Sequence, residues 1–294
     1  MSEEVIKDYT GRDYRTVWHG PRAAFDDRFE GRLIRELLPS EPGWFVDVGA
    51  GYGRLYPLYA RHDRRVVLVD YAVNLLQAAA ERHPAEDGVY FVAANAYHLP
   101  FRPGSFDAGI SIRTFHHMAS PQVFLAELGR VLRRGAHALF EYSNKRNLLR
   151  MARHGRSSLR RDHEEYGDLL FGTHPGYLRE LASSAGLRVG RTAGTGFFTR
   201  FVTERTQRAA GAFGALESIA DRLLGGLDLA PVSFAELVKT SGEARETPAA
   251  GLADILQCPA CGGTMAEGAN GMTCESCSRT YPRLGAVYDF KYQA

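Results

Sequence analysis

The first 257 residues of this 294-residue chain contain no cysteine; all four cysteines lie between Cys258 and Cys277. A disulfide-stapled secreted fold spreads its cysteines through the chain, so this clustering points to one local metal site. No stretch approaches the roughly 18 apolar residues of a membrane-spanning helix. Neither sign of charge dominates: 36 Lys and Arg against 34 Asp and Glu leave +2. That excludes a global polycation for nucleic acid and leaves only local patches open. The opening Met-Ser-Glu-Glu-Val-Ile-Lys-Asp-Tyr has no basic region followed by an apolar stretch, so no secretory signal is expected. The expectation is a cytoplasmic protein without a membrane partner. What remains is 45% hydrophobic and 24% charged, ordinary for a folded soluble chain. At roughly 150 residues per domain, the length fits one large domain or two unequal ones.

Apolar periodicity divides the chain. Residues 1–43 read as a helical preamble, with Phe25, Phe29, Leu33, Ile34, Leu37 and Leu38 on one stripe. Tyr9, Tyr14 and Trp18 either cover a pocket as part of a lid or pack this first helix. Short apolar runs at 44–48, 66–69, 89–93, 106–112 and 136–142 then alternate with amphipathic segments at 72–83 and 122–134. Strands alternating with helices of this length predict a parallel α/β sheet. A helix at 175–185, a strand at 187–192, a helical insertion at 204–227 and a strand at 232–238 would close a seven-stranded sheet. Residues 241–253 are small, polar and proline-bearing, which predicts a flexible linker between a domain at 44–240 and a small C-terminal one at 254–294.

The first strand runs into Asp47-Val48-Gly49-Ala50-Gly51-Tyr52-Gly53-Arg54. Glycines at 49, 51 and 53 let the backbone turn sharply and approach a ligand. The loop feeds a helix N-terminus, whose free N–H groups suit a carboxylate or phosphate. Asp70 ends the second strand, where a carboxylate accepts both hydroxyls of a ribose. Arg54 stands where a dinucleotide fingerprint requires its last glycine.

This loop resembles the D-x-G-x-G-x-G motif of class I S-adenosylmethionine (SAM)-dependent methyltransferases. Residues 95–107, Asn-Ala-Tyr-His-Leu-Pro-Phe-Arg-Pro-Gly-Ser-Phe-Asp, are similar to a second family stretch, and 109–118 and 125–135 to two more. The resemblance covers about residues 40–145. It implies a doubly wound, Rossmann-like, mostly parallel sheet that binds SAM. Position by position, it places Gly49 and Gly51 beside the methionine part and Asp70 on the ribose, with Asp47, Ala50 and Gly53 also at the cofactor. Tyr71 would lie against the adenine, with Asn95 and Ala96 at its edge, and Arg113 would also face the cofactor. The family usually has Asp where this chain has Asn95.

Methyl transfer from SAM is an in-line displacement, and a base is needed only if the acceptor loses a proton. His116 and His117 follow the fourth strand, at the carboxyl edge where such sheets bind ligands. His116 is the expected catalytic base; the alternative is that the pair only shapes the strand end. A SAM-binding regulatory or scaffold protein without turnover also stays open, as does a protein methyltransferase.

Cys258-Pro-Ala-Cys261 and Cys274-Glu-Ser-Cys277 are separated by 12 residues. Two such knuckles supply four thiolates for a closed tetrahedral zinc site, structural rather than catalytic. With residues 281–285 and 289–290, this segment resembles the small zinc-ribbon activator subunit of tRNA, rRNA and release-factor methyltransferases. The resemblance implies a ribbon that packs in cis on its own catalytic domain.

The acceptor is open between a small molecule and tRNA or rRNA. Residues 145–161 hold seven Lys and Arg in 17 positions, either a nucleic-acid contact or a solvated helix face. Arg113-Thr114-Phe115-His116 stands where amide-nitrogen methyltransferases carry Asn-Pro-Pro-Tyr, which argues against that chemistry.

Overall fold

The apolar stripe of the preamble forms α1 (Gly20–Leu37), opened by Pro21 in its first turn, where a missing N–H leaves no bond unmade. Phe25, Phe29, Leu33, Ile34 and Leu37 are all buried. A computed structural model of the chain describes residues 5–11, 18–84, 88–242 and 249–291; Tyr14 of the expected lid lies outside them.

After α1 come β1 (Gly43–Val48), α2 (Tyr56–Tyr59), β2 (Arg64–Asp70), α3 (Val73–Arg82), β3 (Val89–Ala93) and β4 (Phe106–Ser111). Next are α4 (Pro121–Val131), β5 (Leu132–Ser143), α5 (Leu148–His154), β6 (His163–Glu165), β7 (Phe171–Thr173), α6 (Pro175–Ser184) and β8 (Leu187–Thr195). The chain continues with α7 (Ala210–Leu224), β9 (Val232–Lys239), α8 (Leu252–Ile255), β10 (Met265–Gly268), β11 (Gly271–Cys274), β12 (Thr280–Leu284) and β13 (Val287–Asp289).

Strands β3, β2, β1, β4 and β5 lie side by side and parallel, and β9 and β8 add two antiparallel strands beyond β5. Both faces are covered, which is why the central strands read as continuous apolar runs. Phe45, Leu68 and Ile110 pack under α1 and α3, while Val46, Val67 and Phe140 pack under α4 and α6. Each such side chain, wholly removed from water, is worth about 1.5–3 kcal/mol. The strand order turns back between β1 and β4, and ligands bind at the carboxyl ends of strands at such a point.

The expectation of seven strands is corrected: the sheet has 11. The added strands belong to the cysteine-bearing segment. β10, β11, β12 and β13 form an antiparallel meander, and β13 pairs in parallel with β3 through Val287–Phe91, Tyr288–Val92 and Asp289–Ala93. An uncovered edge strand offers free N–H and C=O groups to any extended segment, and β13 takes those of β3. A second attachment lies at the Leu-Pro-Phe stretch. The Arg102 N–H donates to Ile255 O at 2.8 Å and the Gln257 N–H to Pro100 O at 3.0 Å. Ile255 and Leu256 are fully buried.

Of the expected linker, residues 243–248 lie outside the described residues. Ala249 and Leu252 are buried, and the Trp44 indole N–H donates to Ala249 O. The end of that stretch is therefore anchored rather than free. Among the described residues, no helix is long and apolar enough to cross a membrane.

Candidate cofactor cleft and cysteine site

The carboxyl ends of β1, β2, β3 and β4 open into a cleft of about 1070 Å³, part of it open to solvent. Of the three loop glycines, all with left-handed φ, Gly49 and Gly51 line the cleft and Gly53, expected there too, does not. At Gly49 a Cβ would stand 1.9 Å from Thr114 Oγ1, so the strand ends meet too closely for a side chain. At Gly53 it would press on Ala79 and His83. At Gly51 it would meet nothing within 4 Å, because that side faces the cleft. The Gly51 N–H donates to Asp70 Oδ2 at 2.8 Å and the Ala72 N–H to Oδ1 at 2.9 Å. Burial raises the pKa of Asp70, while the N–H groups of Ala72 and Gly51 draw it back down. Its carboxylate thus ties the glycine loop to the end of β2 and still lines the cleft.

Beneath the loop, Asp47 is buried and accepts the Tyr59 hydroxyl proton. Burial pushes this carboxyl up to about 7. Arg113, with φ of 59°, lines the cleft and donates to Glu30 at 2.7 Å; Arg54 grips the same carboxylate. Glu30 is buried, and although burial alone would raise its pKa, Arg113 and Arg54 pull it below the usual range. The two guanidinium groups lie 4.9 and 4.2 Å from the Trp18 ring centroid. Thus α1 contributes a buried carboxylate, and Trp18 just before it an aromatic wall.

On the opposite side, Tyr71, Asn95 and Ala96 line the cleft. Asn95 Oδ1 accepts the Tyr97 N–H at 2.9 Å, so the side chain expected at the adenine edge also closes its own turn. Lys291, just past β13, places its Nζ 5.1 Å from the Tyr71 ring centroid. The C-terminal unit therefore reaches the edge of this cleft.

His116 does not line the cleft; His117 does. The His116 ring lies between His117 and Glu141, its Nδ1 4.0 Å from the carboxylate. Burial, His117 and Arg113 hold its pKa well below the ordinary imidazole value. His117 Nδ1 is 3.1 Å from Leu169 O, which only accepts. The proton therefore sits on Nδ1, and Nε2 accepts the Tyr9 hydroxyl at 2.9 Å. Burial lowers the pKa of His117 as well. Tyr9 belongs to residues 5–11, of which Ile6, Lys7 and Tyr9 line the cleft, and Lys7 is fastened to Asp168 at 2.7 Å.

The sequence reading missed Thr114 and Glu30. The spacing of Gly49 carries the signal for the first, since a glycine at a strand end implies a close neighbour. Glu30 carries its own signal, an acid inside the apolar stripe of α1.

The four cysteines converge, their sulfurs all within 4.8 Å of one another. Cys258 and Cys277 are 3.7 Å apart, and Cys261 and Cys274 3.5 Å. Each knuckle is closed by an N–H returning to its first cysteine: Gly262 to Cys258 O at 2.8 Å and Ser278 to Cys274 O at 2.9 Å. Both closing residues have left-handed φ.

Residues 46–140 match the family model described as a methyltransferase domain. A methyltransferase domain thus occupies residues 46–140 of the chain. Its matched span holds the glycine loop, Asp70 and Asn95. The demethylmenaquinone methyltransferase of Thermobifida fusca is 30% identical over 133 residues, covering 43% of this chain and 50% of its own length. An O-methyltransferase of Aspergillus nomiae is 32% identical over 110 residues, covering 36% of this chain and 49% of its own. The chain thus spans about half the length of the curated relatives it matches. Among solved structures, a chain from the complex between the Haloferax volcanii Trm112 methyltransferase activator and a methyltransferase shares the fold. It aligns with a TM-score of 0.54 at 20% identity, covering 79% of this chain and 100% of its own.

Proposed function

We propose that this chain transfers the methyl group of SAM to a small aromatic or quinone-type acceptor, and that zinc holds its C-terminal unit. The observation that carries the cofactor reading is the open side of Gly51 beside the Asp70 carboxylate. Room for backbone-close approach and a hydroxyl acceptor meet at one rim of the cleft. SAM would supply an activated methyl on a sulfonium that is its own leaving group. The chain's part is placement, which can contribute roughly 7–11 kcal/mol where groups are well aligned. Gly49 and Gly51 make way for the methionine part, Asp70 takes the ribose hydroxyls, and Tyr71 and Ala96 flank the base.

The relatives' names favour a small acceptor, and the cleft supports it. Tyr9, Trp18, His117 and Met118 line the same space, and its cations are paired, Arg54 and Arg113 with Glu30 and Lys7 with Asp168. The basic run at 145–161 is largely neutralised by neighbouring acids. Lys145 is buried against Asp162 and Glu164, Arg150 meets Glu164 at 3.0 Å, and Arg161 meets Glu180 at 3.4 Å. His117 is the group placed to receive an acceptor proton, through the Nε2 that Tyr9 now occupies. With its pKa lowered, it is neutral at pH 7 and competent as a base. Turnover should fall on acidification through that lowered pKa, below the ordinary 6.5. His117→Ala should cut kcat by about 10²–10⁴ while SAM affinity holds. Transfer of labelled methyl to quinol and phenol acceptors measures both; SAM binding without transfer to any of them would leave a binder rather than an enzyme.

Asp70→Ala should weaken SAM and its demethylated product together. An unpaired buried diol costs about 1–3 kcal/mol, or about tenfold to a hundredfold in Kd. Calorimetry with NADH as control tests this, and binding of NADH in place of SAM would overturn the cofactor reading.

The thiol set fits zinc. A tetrahedral site with Zn–S bonds of about 2.3 Å has sulfurs about 3.8 Å apart, close to the separations found. The zinc would supply a structural crosslink. The activator in the Haloferax volcanii complex supports reading the C-terminal unit as a support of the catalytic domain, fused in cis.

A further inference from the structure

Helix α7 is built inside out. Its polar residues face the protein: Glu217 is fully buried and accepts the Gly196 and Phe198 N–H groups at 2.7 Å each, and Asp221 is buried on Arg32. Three of its large apolar residues, and a fourth just past its end, face water, while Phe213 packs inward. Leu216, Ile219, Leu223 and, just past the helix, Leu227 are 46, 55, 68 and 58% exposed. Their spacings of three, four and four put them on one stripe. An amphipathic helix normally buries such a stripe, and here the anchoring is done by carboxylates instead.

Along residues 200–227, which carry the stripe, exposed cations outnumber exposed acids. Arg200, Arg205, Arg208 and Arg222 are exposed, and among the described residues none of them pairs with a carboxylate. Glu204 is the one exposed acid between 200 and 227, since Glu217 and Asp221 are turned inward. A row of aliphatic side chains near arginines that lack a carboxylate partner complements an anionic, apolar-cored surface. It is also small. A stable protein interface takes about 20–30 residues a side, far more than this convex row, whereas a lipid surface needs only a few inserted side chains and nearby cations.

The face connects to the cleft. Arg113, in the cleft wall, lies 3.7 Å from Asp26, which accepts the Thr199 hydroxyl at 2.7 Å. From there Phe198, Phe201 and Phe213 form a chain of ring contacts to α7.

We infer that the outer face of α7 seats this protein on an anionic lipid surface, with the cleft beside it. No membrane-spanning segment is needed for such a seat. The inference stands apart from methyl transfer, because its readout is partitioning rather than turnover. The full chain should cosediment with vesicles of phosphatidylcholine containing phosphatidylglycerol, and much less with phosphatidylcholine alone, and added salt should weaken the binding. The Ile219→Glu/Leu223→Glu variant should lose vesicle binding by about tenfold or more, with its circular dichroism and SAM affinity unchanged, since both side chains are exposed. Arg208→Glu/Arg222→Glu should lose the dependence on phosphatidylglycerol. The inference is overturned if the wild type ignores anionic vesicles or if the Glu variant binds them as well as wild type. It is also overturned if sedimentation without lipid shows a dimer that Leu223→Glu splits, since the face would then belong to a second copy.

Discussion

Stripping zinc from the chain, or replacing Cys274 by serine, is expected to lower the melting temperature by about 10 °C or more and to promote aggregation. The unit after residue 251 is too short to hold itself together by burial alone. Structural zinc contributes about 10–16 kcal/mol to the folding of comparable small domains. Its loss would not stop at the knuckles. Met272, Tyr281 and Phe290 are buried in the same apolar core as Trp44, Phe101 and Phe140. Releasing β13 uncovers the edge of β3, and releasing Leu256 uncovers Phe101. If even a few kcal/mol of that coupling is lost, the expected shift is about 2–4 °C per kcal/mol for a domain of this size. Melting with and without chelator, alongside metal analysis, decides it. A purified chain without metal sinks the zinc reading. A chain that loses its zinc and melts unchanged shows that the C-terminal unit is held by its strands alone.

What could be read in advance depended on how local the cause was. The alternation of strands and helices, the stripe of α1, the glycine loop and the paired knuckles are all set by neighbours a few residues apart. The eleven-stranded architecture is not. β13 has three residues, and nothing in Val287-Tyr288-Asp289 names β3 as its partner; the pairing exists because β3 has a free edge within reach. Ala249 read as linker because its composition is small and polar around it, yet Trp44 supplies a donor that fixes it. The histidines show the same limit. The sequence points to His116 as the base, and only the turn after Thr114 directs His117 into the cleft instead and His116 towards Glu141. Helix α7 lies within the helical insertion expected at 204–227, but with its apolar stripe outward. Periodicity located the helix correctly, but apolar spacing implies burial only when nothing else anchors the opposite face, and Glu217 and Asp221 do.

The glycine loop gives the sharpest separation of folding from binding, through two single substitutions two residues apart. Gly49→Ala should destabilise the chain and empty it of activity together. Its new methyl would sit 1.9 Å from Thr114 Oγ1 and 2.6 Å from Thr114 Cγ2. Thr114 has little freedom to retreat, since its hydroxyl lies 3.2 Å from Val48 O and 3.1 Å from Ile112 O. The ends of β1 and β4 would have to part, which is the overpacking that costs typically 1–3 kcal/mol or more, on top of left-handed strain. Gly51→Ala carries only that strain, about 1–2 kcal/mol, because its methyl meets nothing. Its effect should fall on the ligand. The space it fills is the approach to the Gly51 backbone beside Asp70, so affinity for SAM and its demethylated product should drop by about a hundredfold or more while the fold persists. Thermal melts and calorimetry on both variants separate the cases. If Gly51→Ala binds SAM as tightly as the unaltered chain, the cofactor does not lie against this loop, and the open side of Gly51 must serve some other end of the cleft.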